Sequence, residues 1–75
     1  MNLQQIGQRI RYVRTEIADL SQREFVQRMG MGQSNISQLE KGMSLPSCFF
    51  LLSLHVTYDV NLNWLLTGSG EVKVK

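Results

Sequence analysis

With 75 residues the chain has room for one domain, whose single core is feasible without a metal or a disulfide. A hydrophobic content of 43% excludes a disordered polyelectrolyte, and a lone cysteine, Cys48, excludes an internal disulfide. The net charge of +2 is only mildly basic and by itself points to no partner.

Leu3, Ile6, Ile10, Val13 and Ile17 recur at spacings of three and four. That is the stripe of an amphipathic helix, and it predicts helix 1 from about Leu3 to Ala18. Ser21 with Glu24 three residues on gives a capping box at the start of helix 2, with Leu20 and Phe25 as the flanking hydrophobic staple. Phe25, Val26 and Met29 supply its buried face, and Gly30 ends it in the left-handed conformation. Met31 and Gly32 lead into helix 3, with Gly32 at the N-cap and Met31 and Ile36 at the spacing of a second staple. Ile36 and Leu39 are the only apolar residues from Gln33 to Glu40, so this helix is thinly anchored and most of its surface is free. Gly42 stops it.

Pro46 suits the first turn of helix 4. Phe49, Phe50, Leu51, Leu52, Leu54 and Val56 make that helix apolar nearly all round, so it is the central buried element or it also meets a second subunit. Asn61 caps a last helix holding Leu62, Trp64, Leu65 and Leu66, and Gly68 closes it. Glu71 to Lys75 alternates polar and apolar; after Gly68 and Gly70 a frayed tail is expected rather than a strand. The organisation is a domain over 1–70 and a tail over 71–75. The expected core is Ile6, Ile10, Val13, Ile17, Phe25, Val26, Met29, Ile36, Leu39, Leu51, Leu54, Leu62 and Leu65.

Charge is unevenly placed. Arg9, Arg11, Arg14, Arg23, Arg28 and Lys41 all precede Gly42, whereas from Gly42 to Gly70 the only formal charge is Asp59. Two faces with different tasks follow. Gln33, Ser34, Ser37 and Gln38 share one side of helix 3. Gln donates and accepts at once and can pair bidentately with adenine; Ser can do either. Taken alone, such residues also describe an ordinary solvated face.

Several motifs select between those readings. Ile10, Val13 and Arg14 fit an Ile-x-x-apolar-Arg pattern in helix 1, and Leu20-Ser21-Gln22 opens helix 2. Ile36, Ser37, Glu40 and Gly42 fit Ile-Ser-x-x-Glu-x-Gly, and Pro46 and Trp64-Leu65-Leu66-Thr67-Gly68 follow in order. With Met29-Gly30-Met31-Gly32-Gln33-Ser34 leading into helix 3, nearly the whole chain resembles the Cro/cI-like (lambda-repressor-like, XRE-type) helix-turn-helix DNA-binding family. It departs in two places. The loop Ile17-Ala18-Asp19 is one residue longer, and His55, Val56, Thr57 and Tyr58 stand where the family favours Ala and strong helix formers.

The resemblance implies an all-α, compact five-helix lambda-repressor-like domain whose helices 2 and 3 form the helix-turn-helix. It implies a sequence-specific transcriptional regulator of double-stranded DNA, a phage-type or bacterial repressor on a palindromic operator as a homodimer. Helix 3 would enter the major groove and helix 2 would cross the backbone. Gln33, Ser34 and Gln38 match base-reading positions, with Ser37 on the same side. Gln22, Asn35 and Lys41 match phosphate contacts, Lys41 having a helix-dipole role as its alternative. Arg14 and Glu40 match a structural salt bridge. The competing reading is an antitoxin-like or bridging protein-interaction module on the same fold.

Other chemistries find little support. Cys48 has no second ligand at metal spacing, and His55 has no nucleophile beside it, so it reads as structural. Phe49, Phe50, Tyr58 and Trp64 lack interleaved Lys and Arg, so they read as core or dimer-interface residues before stacking platforms. No carboxylate pair or phosphate loop is visible, so neither an enzyme nor a cofactor or small-molecule ligand is expected. MNLQQIGQRI has no signal-peptide pattern, and the apolar run Cys48 to Leu52 is too short for a membrane span. A cytoplasmic protein without membrane contact is expected, either a minimal regulator or the DNA-binding part of a longer one.

Overall fold

Asn2 opens the first helix. Its backbone is extended, and its Oδ1 accepts from the N–H groups of Gln4 (2.9 Å) and Gln5 (3.2 Å), capping α1 (Leu3–Tyr12). The computed structural model describes residues 2–31 and 33–74, and of Gln33 and Ser34 the backbone alone; the Gly32 cap expected from the sequence lies outside the described residues.

The first helix does not continue regularly to Ala18. It widens over Val13–Ile17 into a π-turn, closed by a bond from Ala18 N–H to Val13 O at 2.8 Å. A π-turn closes over one residue more than an α-turn, so the chain from Val13 to Ala18 takes up an additional residue inside the helix rather than in the loop. Asp19 then turns the chain with φ 56°, a left-handed conformation that Asp tolerates better than most residues.

Ser21 Oγ accepts from Glu24 N–H and Glu24 Oε1 accepts from Ser21 N–H, both at 3.2 Å, and this capping box starts α2 (Gln22–Met29). α3 (Gln33–Glu40), α4 (Cys48–Tyr58) and α5 (Leu62–Thr67) follow, so the described residues form an all-α fold. Pro46 is not in the first turn of α4. Ser47 is the cap, its Oγ accepting from Phe50 N–H at 3.1 Å, and Pro46 stiffens the approach to it. Asn61 Oδ1 accepts from Asn63 N–H at 3.0 Å at the head of α5.

Residues 71–74 are paired rather than frayed. Val60 and Lys73 form an antiparallel bridge, with Asn61 N–H on Val72 O (2.8 Å) and Val74 N–H on Asp59 O (2.9 Å). Asn61 Nδ2 adds a bond to Glu71 O at 2.9 Å. The chain end is thus laced onto the α4–α5 connection.

The core gathers Ile6, Ile10 and Val13 with Phe25, Val26, Met29, Ile36, Leu39, Leu54 and Leu65. Phe50 and Val60 join it, while Ile17, Leu51 and Leu62 are only partly buried against it. Phe25 is its hub. Phe50 meets its ring edge-on at 6.4 Å and Tyr58 stacks on it at 6.0 Å. Trp64 lies edge-on to Tyr12 at 5.9 Å.

These contacts sort the four aromatic interface candidates. Phe50 is used up in the chain's own core, and Tyr58 and Trp64 are half-buried against internal rings. Phe49 remains, 74% exposed. Among the described residues no helix is long and apolar enough to cross a membrane, and no three metal-binding side chains cluster.

Candidate nucleic-acid interface

The turn between α2 and α3 rests on Gly30. Its φ of 68° and ψ of 32° are left-handed, and its N–H and that of Met31 both turn back onto Val26 O. A Cβ at Gly30 would meet nothing, so the backbone conformation alone calls for glycine.

α3 is held by a narrow seam. Ile36 and Leu39 are buried, and the helix leans on α1 at Gly7. A methyl group at Gly7 would overlap Leu39 O and would come within 2.7 Å of Glu40 O. Just beyond α3, Gly42 has φ 75°, and a Cβ there would sit 2.7 Å from Gln4 Cα. The end of α3 is thus pressed onto the first turns of α1. Gly7 escaped the sequence reading, although glycine inside a strong helical pattern costs about 1 kcal/mol against alanine and so signals a close approach.

Charge locks the same junction. Arg14 donates from Nε to Glu40 Oε2 at 2.6 Å and from Nη2 to Glu40 Oε1 at 3.1 Å, while its Nη1 donates to Leu20 O at 2.9 Å. The side chains are 11% and 5% exposed, so this is an interior forked pair. Gln22 Nε2 adds a third bond to the carboxylate at 3.1 Å. The helix-1 π-turn, the start of α2 and the end of α3 therefore meet at one carboxylate. Gln22, expected at a phosphate, spends one amide N–H here and retains a second.

The outward face of α3 is polar. Asn35 and Gln38 are exposed and Ser37 is half-exposed, while Lys41 stands exposed just past the helix end. Gln33 and Ser34 occupy the first turn, and their side chains lie outside the described residues. Asn35 also borders a shallow cleft of about 180 Å³ with Met31, Ser44, Leu45 and Ser47.

Not every cation of the basic half is available to a ligand. Arg14 is consumed as described, and Arg9 donates from Nη1 to Leu65 O at 3.0 Å, capping α5 with its guanidinium beside Gly68. Arg11, Arg23, Arg28 and Lys41 stay exposed. A cleft of about 480 Å³ is bordered by Asn2, Gln5, Arg9, Leu66 and Thr67, hence by α1 and α5 and not by α3. His55 is structural, its Nδ1 bonded to Val60 O at 2.9 Å.

A family model described as a helix-turn-helix domain matches residues 7–71. No curated protein and no solved structure matches the chain.

Proposed function

Because the chain belongs to the helix-turn-helix domain family, we propose that it is a sequence-specific regulator of double-stranded DNA, of the Cro/cI-like kind. The observation that carries this is α3: a helix fixed from behind by Gly7, Ile36, Leu39 and the Arg14–Glu40 pair, with amides on its outward face. Rigid backing and a polar front are what base readout needs, because a bidentate amide–adenine pair tolerates little misplacement.

In this reading Gln33, Ser34 and Gln38 read base edges, with Ser37 beside them. Gln22, Asn35 and Lys41 hold the backbone. The protein binds a palindromic operator as a homodimer and represses by occupying it, in the cytoplasm of a bacterial cell. Selection from a random duplex pool at near-physiological salt tests it. The expected result is a two-fold symmetric motif with half-sites about one turn (~34 Å) apart. Binding without a motif, vanishing as salt rises, would reject base readout and leave only backbone contact.

A further inference from the structure

α4 presents an outer face with no formal charge. At 100° per residue, Cys48, Leu52, Val56 and Phe49 share the arc turned away from buried Phe50 and Leu54. Phe49 is 74%, Leu52 55% and Val56 70% exposed. A solvated helix face normally carries charge, so an apolar stripe of this kind marks a covered surface.

We propose that this stripe is the seat of a second copy of the chain, packed as an antiparallel α4–α4 pair across a two-fold axis between Leu52 and Ser53. Three observations favour a copy over another occupant. Phe49 and Val56 lie equally far from that midpoint, so each Phe49 meets the other copy's Val56 while the two Leu52 side chains face one another, as an isologous contact requires. The face has no charge to repel itself, while exposed Arg11, Arg23, Arg28 and Lys41 lie on other elements. With Met43 (72% exposed) and Leu45 (71% exposed) just before the helix, the apolar supply is on the order of 600 Å², close to the ~800 Å² per partner of a standard interface.

Size gives the same answer. The domain measures 29 × 24 × 21 Å between Cα extremes, so two copies on half-sites ~34 Å apart must touch or nearly touch. This last argument rests on the operator reading; the chemistry of the face does not.

Sedimentation equilibrium of the whole chain over a wide concentration range, with circular dichroism as the check on folding, tests the pairing. The wild type should dimerise, and Leu52→Glu or Val56→Lys should weaken association at least about thirtyfold while leaving the helical signal intact. In a Cys48→Ser background, Leu52→Cys should cross-link under mild oxidation. Native Cys48 should not, because antiparallel pairing holds its two copies ~13 Å apart along the helices. A wild type that stays monomeric, or a dimer that ignores both charge substitutions, overturns the proposal; so does ready cross-linking of native Cys48. Duplex selection separates this failure from that of the DNA reading. A monomer that still selects a symmetric motif removes only the interface, and an α4 dimer that selects none removes only base readout.

Discussion

Glu40 accepts three hydrogen bonds, two from Arg14 and one from Gln22, in a site almost closed to water. Such a carboxylate cannot be removed cheaply, because the guanidinium left behind is buried without its counter-charge. Glu40→Ala should therefore cost about 3 kcal/mol in urea denaturation, well above the value of an exposed pair. A loss under about 1 kcal/mol would show that water reaches Arg14 and that the junction is not closed. The sequence offered Arg14 and Glu40 through a motif. It offered nothing for Gln22 on Glu40, because a polar residue at a helix start reads equally well as solvated. Arg9 was hidden for a similar reason: a surface arginine and one that caps a distant helix end look alike in the chain.

At the scale of elements, caps and stripes were legible and faces sometimes were not. Ser21 and Glu24 stand at a spacing with one physical use, and their box forms. Hydrogen bonds from the backbone N–H and then the hydroxyl of Ser21 hold the Glu24 carboxyl below its ordinary pKa. A group depressed in the folded state stabilises it above its ordinary value, and loses that contribution as pH falls through the folded value. Glu24→Gln should accordingly make stability flatter on the acid side, with little change in its shape near neutrality, as followed by thermal melts across pH. An unchanged acid limb would remove the box from the pH response.

α4 shows the opposite case. Its sequence is apolar all round, so periodicity could not say which of Phe49 and Phe50 turns inward; only the packing of Phe25 decides it. Gly7 belongs to this scale as well. Gly7→Ala keeps a good helix former but drives a methyl into the backbone of α3. Stability should fall by about 1–3 kcal/mol through overpacking, and any DNA affinity should fall with it although no exposed side chain has changed. A variant as stable and as tight as the wild type would mean that α3 yields freely.

For the whole molecule, charge and apolarity are segregated. Six of the eight basic residues precede Gly42 and the uncharged stripe follows it, so a polyanion and a second copy need not compete for one surface. Two of the six cations of the first half are tied up internally, which lowers the number available to phosphates. Lys41→Ala should weaken binding to all duplexes alike and reduce the slope of log affinity against log salt by about one per half-site. An unchanged slope would return Lys41 to its alternative role at the end of α3.

The π-turn at Val13–Ile17 uncouples chain length from spatial register. An additional residue in a regular helix rotates all that follows by about 100° and advances it by 1.5 Å. Here the widening is confined to one turn, so Val13 and Arg14 at its start and Leu20 after it converge on the same interior point. Deleting the exposed Glu16 should then tighten the turn to an ordinary α pitch and leave the three-helix junction in place. If both lengths fold alike, this segment is a place where the chain can gain or lose a residue without α3 losing its position.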